Sequence, residues 1–103
     1  MSSTDGETDG ETDRTARWSF LSNHGHVLIC IAKAPDARVR DIARRVGITE
    51  RAVQRILTDL ESAGAVVRER VGRRNHYLIR GDTPLRHPLE AHRSVADLIR
   101  LTS

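Results

Sequence analysis

Arginine is concentrated in one short segment, "VRDIARRVGITERAVQRI", which spans residues 39–56 and contains five arginines. A guanidinium group is planar and always charged, so it binds phosphate oxygens or the edge of a guanine through paired hydrogen bonds. The apolar residues between the arginines recur at helical spacing, which leaves the cations on the outer surface. The chemistry that this segment favours is therefore noncovalent recognition of a polyanion.

The other reactive side chains do not form a catalytic or metal-binding set. Cys30 is the only cysteine, so no disulfide can form within the chain. His26 and Cys30 are four residues apart and could share a metal on one helix face, but the sequence offers no four-ligand set. It also contains no nucleophile with a matched base, no phosphate-cradling glycine loop and no paired carboxylates on one face. We therefore expect no enzyme, no metal and no cofactor.

Charge is divided unevenly along the chain. Residues 1–13 contain five acids and no lysine or arginine, whereas residues 14–103 contain all 17 basic residues and nine acids. A body with this excess of positive charge favours phosphate-rich partners. The acidic stretch is a tandem repeat, "TDGETDGETD", without apolar anchors, so we expect a disordered tail over residues 1–16. Such a tail either only aids solubility or occupies the basic surface and competes weakly with its ligand.

The apolar segments are short throughout the chain. None approaches the roughly 20 residues that a membrane-spanning helix needs. The N-terminus is polar and acidic, unlike a secretory signal peptide, and a single cysteine fits a reducing compartment. We expect a cytoplasmic protein that does not bind a membrane.

Helical patterns dominate residues 18–64. Residues 18–34 have helical character, with Asn23 as a plausible N-cap and Pro35 as the stop. Apolar residues at i, i+3, i+4 and i+7 predict a helix over residues 39–46, which Gly47 ends, and a second over residues 49–64. Thr49 can cap this second helix with its hydroxyl.

The last third begins with a predicted hairpin. Residues 65–71 and 76–80 are rich in β-branched and aromatic residues, and "GRRN" (residues 72–75) separates them as a basic tip. The sequence leaves open which strand face is buried. The final segment, "HPLEAHRSVADLIRL", has Pro88 at a first-turn position and predicts an amphipathic helix.

This order of elements is typical of a winged helix-turn-helix, an α+β, mainly α fold with a three-helix core, a β-hairpin wing and a C-terminal helix. The segment "LTDLESAGAVVRERVGRRNHYLI" (residues 57–79) resembles the end of the recognition helix and the wing of small MarR-like or ArsR-like bacterial regulators. The resemblance covers about residues 20–80. It implies a homodimeric transcriptional regulator whose recognition helix enters the major groove and whose wing contacts the minor groove. We expect a DNA-binding domain over residues 17–82 and a helix for dimerisation over residues 83–103.

The candidate contacts follow from helix geometry. In the recognition helix (residues 49–64), the face opposite the apolar stripe carries Arg51 and Arg55, with Gln54 at its margin, and these residues are expected to read bases. Contacts to the DNA backbone are expected from Thr49, Thr58, Arg40 and Arg44. Arg45 is a weaker candidate, because it can pair with Asp41 one helical turn away. The wing (residues 66–80) is expected to use Arg70, Arg73, Arg74 and Asn75, with Arg68 as a further candidate.

Taken together, these features predict a homodimer that binds duplex DNA and regulates transcription, and they leave any effector ligand unidentified. A winged-helix module that binds an acidic protein partner is the alternative, and RNA binding ranks third. The abundance of arginine on the predicted recognition face, rather than exposed apolar residues, favours nucleic acid.

Overall fold

The computed structural model describes residues 18–103, which form four α-helices and one two-stranded antiparallel sheet. In chain order the elements are α1 (Asn23–Lys33), α2 (Val39–Val46), α3 (Glu50–Ser62), β1 (Val66–Val71), β2 (Arg74–Ile79) and α4 (Val95–Thr102). This order confirms the predicted mainly α winged helix-turn-helix. The predicted acidic tail, residues 1–16, lies outside the described residues. Within residues 18–103, no helix has the length and apolar character needed to cross a membrane.

The first helix begins at Asn23, inside the helical pattern of residues 18–34 and one residue before the start that an N-cap at Asn23 would give. Residues 18–22 precede α1, and Ser22 rather than Asn23 is the N-cap. The Ser22 hydroxyl oxygen accepts the backbone N–H of Gly25 at 3.4 Å, which satisfies one of the free donors of the first turn. The serine side chain therefore sets the start of the helix, and Asn23 becomes its first residue.

The turn between α2 and α3 depends on Gly47. Its φ of 86° lies in the left-handed region, which glycine adopts without a Cβ clash. The N–H groups of Gly47 and Ile48 both donate to the Ala43 carbonyl, at 2.8 and 3.0 Å, and so end α2. The Thr49 hydroxyl oxygen then accepts the N–H of Ala52 at 3.1 Å. The predicted turn and cap are confirmed, and they fix the direction in which α3 leaves α2.

Apolar side chains from all four helices and the hairpin share one core. Its fully buried members are Val27, Ile31, Ile42, Val53 and Val66. Each fully buried aliphatic side chain contributes roughly 1.5 to 3 kcal/mol relative to exposure. Because this core occupies one side of α2 and α3, the opposite sides of both helices face outward.

The turn of the hairpin is shorter than predicted. Only Gly72 and Arg73 lie between the strands, whereas the predicted turn covered residues 72–75. Gly72 has a φ of 63°, which suits a two-residue hairpin turn that needs a positive φ at its first position. Arg74 and Asn75 therefore belong to β2 and lie beside the tip rather than at it.

The structure also fixes the strand register, which the sequence left open. Val66 lies opposite Ile79, and Arg68 lies opposite Tyr77. Val66 and Tyr77 are buried against the helices. The alternate positions, Val67, Val71 and Leu78, are between 42% and 48% exposed on the outer face of the wing.

The C-terminal helix begins at Val95, not at Pro88 as predicted. Ser94 and Asp97 form a capping box, in which the Ser94 N–H donates to the Asp97 carboxylate at 2.9 Å and the Asp97 N–H donates to the Ser94 hydroxyl at 3.3 Å. The hydrogen bond from the Ser94 backbone lowers the pKa of Asp97. This reciprocal cap starts the helix seven residues after Pro88.

The residues before α4 form a closed loop instead of a helix. The Leu85 N–H donates to the Arg93 carbonyl at 2.9 Å, and the Val95 N–H donates to the Thr83 carbonyl at 2.8 Å. Leu89, which lies within the segment predicted to be an amphipathic helix, is 83% exposed in this loop. The apolar spacing was misleading here because the loop backbone finds hydrogen-bond partners across its own ends.

Candidate nucleic-acid interface

The outward side of α3 is a row of polar side chains, which we call the α3 face: Arg51, Gln54, Arg55 and Thr58. All four are exposed, whereas the opposite stripe of this helix, Val53, Ile56, Leu57 and Leu60, is buried. Within residues 18–103, no carboxylate forms an ion pair with Arg51 or Arg55. Both guanidinium groups are therefore oriented to solvent, without an acidic partner from the described part of the chain.

Thr49 stands at the N-terminus of α3, where free amides and the helix dipole favour an anion. Its hydroxyl oxygen accepts the Ala52 N–H, but the hydroxyl proton is not used in that bond. Thr49 can therefore cap the helix and donate to a phosphate oxygen at the same time. Glu50 lies next to it in the first turn and is exposed, so its negative charge restricts where a phosphate can approach.

Thr58 differs from the other members of the α3 face. Its hydroxyl donates to the Gln54 carbonyl one turn earlier, at 3.1 Å. In this rotamer the hydroxyl proton is committed to the helix backbone, and a contact with a phosphate would require the side chain to rotate. The sequence could not reveal this, because the same residue at the same position is compatible with either rotamer.

The arginines of α2 have three different environments. Arg40 is exposed and has no ion-pair partner among residues 18–103. Arg44 lies 3.7 Å from Asp41, an exposed and therefore weak pair. Arg45 lies against Cys30 and lines a cleft with it, so the predicted pairing of Arg45 with Asp41 is wrong. The apolar contact surface of α1 and α2 brings Arg45 to that side of the helix.

The arginines of the wing are mostly engaged with the protein itself. Arg70 donates from Nε to the Gly72 carbonyl at 3.3 Å, and Arg68 pairs with Glu61 of α3 at 3.3 Å. Arg74 reaches back to the carbonyl of Asp36, at 2.7 Å. Only Arg73, in the turn, is exposed without such a bond among the described residues.

Two hydrogen bonds attach β2 to the loop between α1 and α2. The Tyr77 N–H donates to the Pro35 carbonyl at 3.3 Å, and the guanidinium of Arg74 donates to the carbonyl of Asp36. These bonds fix the wing relative to the helices, and Arg68 adds a third link through α3. Sequence reasoning missed the two bonds to the loop because their acceptors are backbone carbonyls, which have no residue-type pattern.

The histidines and the cysteine have structural surroundings. His24 bonds to Asp59 of α3 at 2.9 Å, and His26 bonds to the Ser19 hydroxyl at 3.1 Å. Cys30 is buried, and burial raises the pKa of its thiol. Residues 18–103 contain no group of three or more His, Cys, Asp or Glu side chains arranged to hold a metal ion.

The overall arrangement is a cationic helix face beside a braced hairpin, and its sequence matches a known family. The model of the MarR family matches residues 20–74, more than half of the chain, which contain α1, α2, α3, β1 and the start of β2. No curated protein matches the chain at a significant level. MarR family proteins are DNA-binding transcription regulators and not enzymes. On this match, the chain belongs to the MarR family.

Proposed function

We propose that this protein binds specific duplex DNA sequences as a homodimer, with α3 in the major groove and the wing at the flanking minor groove. The observation that carries the proposal is the α3 face, where two arginines and a glutamine project from the first half of a capped helix. No carboxylate of residues 18–103 neutralises those two arginines. Such a face supplies donors for guanine and a bidentate partner for adenine.

We assign base reading to Arg51, Gln54 and Arg55. Bases are read from the N-terminal half of a recognition helix, and these three residues lie in the first six of the 13 residues of α3. Thr49, Arg40 and Arg44 are assigned to the DNA backbone. Of these, Arg44 must exchange its weak pair with Asp41 for a phosphate, which costs little at an exposed site.

We assign the minor-groove contact of the wing to Arg73, because it alone among the wing arginines projects from the turn without a bond to residues 18–103. Arg74 and Arg70 have contacts that position the hairpin, and Asn75 lies on β2 opposite Arg70. A guanidinium that enters a narrow minor groove responds to its width and negative potential.

The dimer is supported by apolar side chains at the surface. Trp18 and Phe20 pack edge to face with ring centroids 5.0 Å apart, yet they are 68% and 92% exposed. Leu101 of α4 is 80% exposed, while Val95 of the same helix is buried in the core. Exposed clusters of this kind favour a protein contact. We propose that residues 83–103, together with Trp18 and Phe20, contribute to the dimer interface.

Selection of bound fragments from random duplex DNA, followed by affinity measurements over a salt series, tests this proposal. We expect an inverted-repeat consensus with half-site centres about one helical turn apart, and a linear fall of log affinity with log salt. Enrichment of no sequence, together with a flat salt dependence, would overturn the assignment. Preferential binding to an acidic protein or to RNA in the same assay would support one of the alternatives instead.

A further inference from the structure

The α3 face is a surface that the chain's own acidic N-terminal segment can occupy. Residues 4–13, "TDGETDGETD", carry a carboxylate at every second position from Asp5 to Asp13 and have no basic residue. Within residues 18–103, Arg51 and Arg55 have no acidic partner. Residues 4–13 and the α3 face therefore have complementary charge, and neither contains a side chain of the opposite sign.

Distance does not prevent this contact. His24, at the start of α1, bonds to Asp59 at 2.9 Å, so the chain enters the fold beside the C-terminal half of α3. Arg51 is eight residues from Asp59 on this helix, or about 12 Å along the axis. Asp13 and Asp5 precede Trp18 by stretches that span at most about 17 and 45 Å when extended. The stretch before Trp18 is therefore long enough for the distal carboxylates of the repeat to reach the α3 face.

The spacing of the two sets of charges also matches. In an extended chain, side chains two residues apart lie on the same side and about 6.8 Å apart. On a helix, residues four apart, such as Arg51 and Arg55, have Cβ atoms roughly 5 to 6 Å apart. Consecutive carboxylates of the repeat can therefore approach consecutive arginines of α3, and a phosphate backbone would use the same arginines.

We propose that residues 4–13 bind the α3 face and compete with DNA for it, so that the protein carries its own weak inhibitor of nonspecific binding. This inference rests on the proposed function, since it concerns the same surface. Exposed ion pairs are individually weak, but the tether raises the local concentration of the acidic segment to the millimolar range. Specific DNA displaces it because base contacts add affinity that the acidic segment cannot supply.

Affinity measurements on the full chain test the competition. Replacement of the five acids by amides (Asp5→Asn, Glu7→Gln, Asp9→Asn, Glu11→Gln, Asp13→Asn) should tighten binding to random duplex DNA about 3- to 10-fold at low salt. This gain should fall below about twofold at high salt, where exposed charges are screened. The matched control, Thr4→Ser with Thr8→Ser and Thr12→Ser, changes the same segment without changing its charge and should leave affinity unchanged. Equal affinity of the amide variant and the unmodified chain would overturn the proposal.

A spin-label experiment without DNA separates docking from simple repulsion of DNA by a negative segment. A nitroxide on Ser3→Cys can be placed selectively because Cys30 is buried. At low salt it should broaden the amide signals of residues 50–58, and the broadening should disappear in the amide variant. Absence of broadening on α3, or equal broadening in the amide variant, would refute docking even if the protein binds DNA. Docking in a protein that fails to select any duplex would instead refute the proposed function alone.

Discussion

The recognition helix and the wing both contain exposed arginines but use them differently. Arg51 and Arg55 of α3 have no acidic partner within residues 18–103, whereas Arg68, Arg70 and Arg74 of the hairpin all bond to nearby carboxylate or carbonyl oxygens. A three-helix core holds α3 rigidly through its apolar stripe, so its cations are free for a ligand. A two-stranded hairpin has little core of its own, so its cations are used to brace it. Arginine content alone is therefore a poor guide to which surface contacts a ligand.

The largest expected effect comes from Arg55→Ala. If Arg55 reads a base, this change should cost roughly 1 to 3 kcal/mol on the preferred duplex and relax discrimination at one base position. Fluorescence anisotropy on the selected site and on single-base variants measures both quantities. Lys33→Ala is the matched control, since it removes one positive charge from an exposed side chain outside α3, the wing and the proposed dimer segment. Equal losses on specific and random DNA would show that Arg55 contacts a phosphate and not a base. The contrast between α3 and the wing would then be weaker.

A smaller effect is expected when the anchoring of α3 is disturbed through Gly47→Ala. A Cβ at this position would meet no atom within 4 Å, so the cost comes from the positive φ alone. We expect a loss of about 1 to 2 kcal/mol in the free energy of unfolding. Urea denaturation measures this loss. An unchanged midpoint would show that the turn does not require the left-handed conformation.

Arg73 in the wing turn and Arg74 at the start of β2 should give distinguishable, smaller losses. Arg73→Ala should remove one cationic contact with the DNA and reduce the slope of log affinity against log salt by about one. Arg74→Ala should weaken binding while changing the slope less, because its guanidinium braces the wing against the Asp36 carbonyl. Amide signals of β2 should shift in the free Arg74→Ala protein and stay in place in Arg73→Ala. Identical slopes for both variants would place both arginines on DNA.

The smallest effect is expected for the bridge between β1 and α3. Glu61→Gln should destabilise the fold by about 0.2 to 1 kcal/mol, because the Arg68 side chain is 54% exposed and the pair is partly solvated. DNA affinity should rise slightly or stay constant, since one negative charge is lost. A large fall in DNA affinity without a change in stability would contradict this expectation. It would mean that the Arg68–Glu61 bridge holds the wing in its DNA-binding position despite the exposure of its side chains.

The sequence predicted the elements that depend on local chemistry. The i, i+3, i+4 and i+7 stripes of α2 and α3, the glycine at the left-handed turn and the threonine cap all express side-chain preferences within a few residues. For the same reason, the polar face of α3 could be identified before any coordinates were known. The three-helix core and the wing followed from the order of these elements.

The sequence was less informative where contacts between residues far apart in the chain determine the structure. The helix predicted from Pro88 begins at Val95 because Ser94 caps it there, while the backbone before it closes a loop through the hydrogen bond from the Leu85 N–H to the Arg93 carbonyl. The positions of Arg74 and Arg45 depend on Asp36 and Cys30, which lie in distant parts of the chain. No local pattern encodes a bond to a backbone carbonyl 38 residues away.

The most direct test of the central claim, that the α3 face reads DNA, is a nuclear magnetic resonance titration of the full chain with its selected duplex. The side-chain Nε–H signals of Arg51 and Arg55 and the side-chain amide of Gln54 should shift strongly and saturate at one site per subunit. The same signals should shift less and without saturation on random DNA. Large shifts confined to Trp18, Phe20 and α4, with the α3 face unchanged, would contradict the account.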